Sequence, residues 1–222
     1  MDDITEFSNV DEWQRNTNYG DRLIEADADD FIMLHKLDKY LTGVHGFIAG
    51  GVFKYIFDGK KPKDIDIYFT DKKHYLSASD NLEENEEWRK IYESEKVDGW
   101  LAPDGQRVEL IKSMFDTPES ALARFDFTIT KFAYWIGLDD GEDTDGARVL
   151  YHKDFFQHLT LKRLVVDSYP SFPLDTYNRA FRYAGYGFRP CRETKYILAR
   201  LIQKSELTTP NDITNGLYEG VD

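Results

Sequence analysis

One cysteine, Cys191, stands among 222 residues, which excludes an intrachain disulfide and any metal site built on several thiolates. A reducing compartment is then the default. Long apolar runs are also missing. No stretch approaches the roughly 20 residues that cross a bilayer, and the acidic start Met1-Asp2-Asp3 has none of the basic and apolar character of a signal peptide. The expectation is a cytoplasmic protein with no membrane partner. Positive charge is scarce, with 28 Lys and Arg against 41 Asp and Glu and a net charge of -13, a balance that argues against nucleic acid as a partner. The shortage is uneven, however. Residues 1 to 30 carry ten acids against Arg15 and Arg22, whereas residues 151 to 204 carry ten Lys or Arg against four acids. A basic C-terminal half thus keeps an RNA partner open. What the chain does have is core material: 41% hydrophobic and 15% aromatic residues serve one large domain or two small ones. Composition leaves the oligomeric state undetermined.

The richest stretch is 47 to 69, FIAGGVFKYIFDGKKPKDIDIYF. Phe47-Ile48-Ala49 reads as a short buried strand running into Gly50-Gly51, where the absent side chains permit unusual dihedrals and close approach of backbone to a ligand. Val52, Phe53, Ile56 and Phe57 recur at helical spacing, so backbone N–H groups near Gly51 would face a phosphate. Asp58-Gly59 ends that helix, Lys60-Lys61-Pro62-Lys63 forms a basic loop, and residues 64 to 69 alternate with period two. Alternation puts Asp64 and Asp66 on one face of a strand. Two carboxylates so close repel each other, a cost that a divalent cation removes while gaining the oxygen ligands that Mg2+ (or Mn2+) prefers. By itself, in an acidic protein, such a pair reads more often as two solvated acids on an edge strand.

The whole stretch resembles the signature of the nucleotidyltransferase superfamily that includes polymerase beta, and within it the class II CCA-adding enzymes and bacterial poly(A) polymerases. Their pattern is G-G-x-V-R-D, an apolar helix, a Gly, a basic loop and D-x-D. Here Phe53-Lys54-Tyr55 replaces V-R-D, so Lys54 stands for the arginine and the acid is missing. A second segment, Ala123 to Tyr134, resembles the family's R-R-D-F-T-I-N-A-x-x-Y, with Arg124, Asp126, Phe127, Thr128, Ile129 and Tyr134 in place and Phe125 and Thr130-Lys131 departing. Read from residues alone, this segment is a β-branched and aromatic strand. A third, Asp175 to Ala184, resembles the neck helix whose Asp and Arg edges choose the base, with Arg179 and Arg182 falling on R-A-x-R. Arginines at i and i+3 share a helix face, and two solvated surface residues would read the same way.

The rest of the chain supplies context. Residues 29 to 41 predict a helix with Phe31, Ile32, Leu34, Leu37 and Leu41 inward, and 81 to 95 a surface helix with Leu82, Trp88 and Ile91 inward. Gly99 to Leu101 and Arg107 to Ile111 predict a hairpin through Pro103-Asp104-Gly105. Glu109, flanked by Val108 and Leu110, points away from them, and the resemblance makes it the third carboxylate beside the D-x-D pair. Thr117-Pro118-Glu119 opens a helix. The acid- and glycine-rich segment 138 to 146 lacks the distal Glu of a calcium loop and predicts an exposed hairpin loop, with 148 to 151 as the returning strand. Helices follow over 154 to 164, with Phe155, Phe156, Leu159 and Leu164 on one side, over 174 to 183, with Leu174, Tyr177, Phe181 and Ala184 on one side, and over 193 to 205.

The expected fold is α+β: an acidic lead-in (1–28), a nucleotidyltransferase head with a small mixed sheet flanked by helices (29–151), a helical neck (152–207) and a tail (208–222). What the resemblance implies is metal-dependent transfer of a nucleoside monophosphate from an NTP to an acceptor hydroxyl. Asp64, Asp66 and Glu109 would be the catalytic and metal-ligating residues. Gly50 and Gly51 would cradle phosphates, Lys54, Arg124 and Lys131 would offset their charge, Asp126 would meet the ribose, and Arg179 and Arg182 would reach the nucleotide from the neck. An RNA 3′ end, tRNA-like, is the expected acceptor, with protein nucleotidylylation as the alternative. A non-catalytic protein binding a basic partner through its acidic surface is a further class.

Overall fold

The computed structural model describes residues 19–137, 146–167 and 173–204. Its frame is a mixed sheet of eight strands: β1 (Leu23–Asp27), β2 (Phe47–Ala49), β3 (Asp64–Phe69), β4 (Arg89–Glu93), β5 (Val97–Leu101), β6 (Arg107–Phe115), β7 (Phe132–Ile136) and β8 (Ala147–His152). They lie in the order β1-β8-β7-β2-β3-β6-β5-β4. All neighbours are antiparallel except β3 and β6. The parallel step is made by a crossover through α3 (Lys72–Glu84), which Asp71 caps by accepting a hydrogen bond from the His74 N–H at 2.8 Å.

Strand alternation divides the apolar residues between two faces. Ile48, Ile65, Ile67, Val108, Leu110 and Phe132 belong to the larger core, together with Phe53 and Ile56 of α2 (Val52–Phe57). Phe47, Ala49, Tyr68, Ile111 and Ala133 face the other way and are covered by Ala121 and Leu122 of α4 (Pro118–Arg124). Asp64, Asp66 and Glu109 share the parity of this second face, so they open beside α4 where the helix leaves the sheet uncovered. Beyond β8 come α5 (Phe155–Thr160), α6 (Pro173–Gly185) and α7 (Arg192–Lys204), with β9 (Arg163–Leu164) paired in parallel to β10 (Arg189–Pro190). The larger core runs unbroken into this part through Phe155, Leu164, Val166, Ala180, Tyr183 and Leu198.

Several local expectations differ. Residues 28 to 41 form a 3-10 helix (Ala28–Leu37) kinked at Phe31, followed by α1 (Asp38–Leu41), and Ile32 is 79% exposed rather than inward. The helix foreseen over 81 to 95 ends at Glu84, and Arg89–Glu93 is instead the edge strand β4, because it pairs with β5 around a tight turn in which Ser94 and Val97 exchange backbone and hydroxyl hydrogen bonds. Segment 123 to 134 becomes a strand only at Phe132. Before it, α4 ends at Arg124 and Thr128–Thr130 is a 3-10 turn. The helix at 154 to 164 stops at Thr160, and Lys162 adopts φ 50° as the chain turns into β9. On α6 the inward face is Asp175, Thr176, Ala180 and Tyr183, whereas Phe181 is 63% exposed. The acidic lead-in up to Asn18, the segment 138–145 with its foreseen hairpin loop, and the tail from 205 lie outside the described residues.

Candidate active site

A cleft of about 680 Å³ opens over the second sheet face. Its floor is β3, which contributes Asp64, Asp66 and Tyr68, and its roof is α6, which contributes Arg179, Arg182 and Tyr183. The Gly50-Gly51 turn and the start of α2 close one side, and Arg124 to Phe127 the other. Gly50 has φ 94°, a conformation that a side chain would strain, and a Cβ placed there would stand 3.9 Å from the Asp66 carboxylate. The glycine turn and the acid pair, separate in sequence, therefore meet in space. Asp66 is 7% exposed and Asp64 half-buried. Opposite Asp64, in register on β6, stands Arg107, a cation that the sequence reading did not place there.

Lys54 lines the cleft beside the pair and is buried, with Nζ donating to the Gly51 carbonyl at 2.9 Å. A Cβ on Gly51 would come within 2.8 Å of that nitrogen, so the glycine makes room for the lysine. Three tyrosines surround it: Nζ lies 4.3 Å from the Tyr55 ring centre, 5.2 Å from Tyr183 and 5.7 Å from Tyr186. Burial pushes the Lys54 pKa down to about 8, although Asp64 and Asp66 favour its charged form. These aromatics had no signal in the sequence, because Tyr183 and Tyr186 come from a helix end more than 120 residues away. Lys63, from the basic loop, reaches the same edge and donates to the Tyr186 hydroxyl at 3.2 Å.

An ion pair from Arg179 to Asp126, at 2.8 Å, ties the roof to the head. Asp126 is buried, which lifts its carboxyl above the ordinary value, with Arg179 acting in the opposite sense. Both line the cleft, as does Arg182 one turn further along the same helix face. Arg124 also lines it, exposed and paired with Asp116 at 3.0 Å.

Two expected members stand apart. Lys131 is fully buried and does not line the cleft; its Nζ lies 3.3 Å from Asp167, within a cluster that also joins Arg22 and His152 to that carboxylate at 2.7 and 3.3 Å. Its position is that of an internal counter-ion, and a phosphate contact from it has no path. Glu109 is in register with Asp66, as the resemblance implied, but its carboxylate accepts a hydrogen bond from the Tyr92 hydroxyl. Among the described residues no three His, Cys, Asp or Glu side chains converge as a closed metal-binding group. The oxygen donors of Asp64 and Asp66 suit magnesium or manganese as an open two-carboxylate set, with Glu109 one strand away.

Solved structures similar to this architecture include CCA-adding enzymes. The chain is similar to the Thermotoga maritima CCA-adding enzyme complexed with tRNA (TM-score 0.60, 19% identity, 90% of this chain and 52% of that one). It is similar to a CCA-adding enzyme in complex with CTP (TM-score 0.62, 20% identity, 87% and 50%). It is also similar to a tRNA nucleotidyltransferase complexed with a primer tRNA and an ATP analogue (TM-score 0.55, 21% identity, 77% and 50%). At these identities the likeness is one of fold: a nucleotidyltransferase-like mixed sheet flanked by helices. The chain spans about half the length of these proteins. No curated protein matches the sequence. A family model described as "Gad2: Gabija anti-defense 2 family protein" matches residues 22–162, more than half of the chain, and the chain therefore belongs to the Gabija anti-defense 2 family.

Proposed function

We propose that the protein transfers a nucleoside monophosphate from an NTP to an acceptor hydroxyl, releasing pyrophosphate. The observation that carries this reading is the meeting of Asp64 and Asp66 with the Gly50-Gly51 turn in one cleft roofed by Arg179 and Arg182. A cation bound by Asp64 and Asp66 would neutralise charge on the phosphates and on the attacking oxygen. The chain's own residues do the rest. Gly50 and Gly51 leave space for phosphate oxygens against backbone, and Lys54, Arg182 and Lys63 supply positive charge along the path of the triphosphate. Arg179 and Asp126 fix the roof over the sugar and base, and Tyr55 and Tyr186 offer rings at the mouth.

For the acceptor, an RNA 3′ end is the first reading, supported by the tRNA named in the similar structures and by Lys63 of the basic loop at the cleft edge. The basic stretch contributes less than its composition implies, since Lys162 is paired with Asp58, Arg163 with Glu193 and Arg179 with Asp126. The family's description as anti-defense favours a second reading, nucleotidylylation of a protein hydroxyl. Incubation with each α-labelled NTP, magnesium and a cell lysate separates the two. Label on RNA supports the first and label on a protein band the second, while an Asp64→Ala protein that labels neither yet still counters the defense system would leave a binding protein instead.

A further inference from the structure

A second cavity, of about 290 Å³, lies behind the cleft on the opposite face of β3. Ile65 contributes to its wall, whereas the neighbouring Asp64 and Asp66 line the cleft, so one strand separates the two. Four lysines converge on this cavity. Lys36 and Lys39 come from the 3-10 helix and α1, three positions apart and so on one side of the chain, and Lys60 and Lys61 come from the basic loop. Asp104 is the acid among the lining residues, accepting from Lys39 Nζ at 2.5 Å and from the Tyr40 hydroxyl at 2.6 Å. Lys60 also reaches Asp58, outside the lining, at 3.6 Å. Four ammonium groups against one carboxylate leave the wall with three positive charges in excess, in a chain whose net charge is -13.

The lysines of the loop are held in this position by the backbone around them. Gly59 turns the chain at φ 69°, and the Lys60 N–H donates to the Tyr55 carbonyl at 2.8 Å. From the other side Gln106, 3% exposed, donates through Nε2 to the carbonyls of Pro62 and Lys63 at 3.4 and 3.3 Å. Cations gathered in this way repel one another, and an anion among them relieves the repulsion. We propose that the cavity is a second anion site, taking a compact phosphate-bearing ligand. Lysines act on phosphate as point charges, and the volume falls at the lower bound of small-molecule sites, which suits an oligophosphate group better than a large apolar ligand. That group is supplied either by a free oligophosphate or by the backbone of a nucleic acid. The proposal concerns binding alone and stands whether or not the cleft transfers nucleotides.

The test is an NMR titration of the full 15N-labelled chain with inorganic pyrophosphate, in EDTA so that no divalent cation bridges the ligand to the acid pair. The amide signals of Gly59, Lys61 and Gln106 are expected to shift to saturation. Lys36→Glu combined with Lys61→Glu, at two exposed positions, should weaken the affinity read from them about tenfold or more, and Lys61→Gln alone should weaken it less. Arg182→Ala, which removes a cation from the cleft, should leave it unchanged. A parallel titration with a short single-stranded RNA lacking a 5′ phosphate separates the sources: shifts with pyrophosphate assign the site to free oligophosphates, and shifts with RNA alone assign it to backbone phosphates. No shift at these amides with either probe overturns the proposal. So do shifts that chloride reproduces at equal ionic strength, or shifts that Arg182→Ala abolishes and the double lysine variant retains.

Discussion

Arg179 crosses from α6 to Asp126 beside the sheet, bringing a guanidinium nitrogen within 2.8 Å of a carboxylate that is 7% exposed. This contact joins the roof of the cleft to its wall. Arg179→Ala would leave Asp126 buried without its counter-ion, and a loss of about 3 kcal/mol in unfolding free energy is expected. Denaturant unfolding measures it. Adding Asp126→Asn to the Arg179→Ala protein should recover most of the loss, because the neutral amide has no charge to strand.

Lys54 has its pKa lowered to about 8, chiefly by burial, so it carries its charge below that pH and loses it above. If it balances the triphosphate, NTP affinity should fall as pH rises through about 8. Equilibrium binding of a non-hydrolysable NTP from pH 7 to 9.5 shows this. Lys54→Arg, which keeps its charge over that range, should flatten the profile.

Lys131 likewise has its pKa lowered to about 8 from 10.5, again by burial, with Asp167 opposing the shift. Between these pH values the unfolded chain holds the proton that the folded chain has released, so this group makes the protein more stable as pH rises from about 8 toward 10. Lys131→Met lacks that contribution. Its stability relative to the unmodified protein should therefore decline across pH 8 to 10 and be flat from pH 6 to 7.5, measured by urea unfolding at each pH.

An RNA acceptor predicts weak, salt-sensitive binding, since Arg124 and Arg179 of the cleft are already paired with Asp116 and Asp126. With two to four phosphates neutralised, the log-log slope of affinity against salt should be roughly -2 to -4. Filter binding of labelled tRNA to the Asp64→Ala protein from 25 to about 200 mM salt gives the slope. A slope near zero favours the protein acceptor.

The centre of the site was legible because its signals are local. Period-two alternation fixed the facing of Asp64 and Asp66, and the Gly50-Gly51 pair sits where the chain reverses between β2 and α2. The Asp104-Gly105 turn likewise set the β5–β6 hairpin that carries Glu109, with Gly105 at φ 76°. What stayed hidden depends on tertiary contacts. Ile91 fits a helical spacing as well as it fits β4, and only the pairing of Arg89–Glu93 with β5 decides between them. The inward face of α6 mixes polar Asp175 and Thr176, which meet the head around Asp126, with Ala180 and Tyr183, so an apolar pattern that included Phe181 pointed partly the wrong way. Lys131 matches a phosphate-binding segment in order, yet Asp167, 36 positions later, draws it inside.

The most direct test of the central claim is magnesium-dependent release of pyrophosphate, assayed with each NTP and total cellular RNA or lysate protein, for the unmodified chain and for Asp64→Ala and Asp66→Ala. Both variants should stay folded by circular dichroism, since relieved carboxylate repulsion offsets lost contacts, and both should lose at least about a thousandfold in rate if charge stabilisation at the phosphates is removed. Magnesium-dependent turnover retained in either variant would contradict the account.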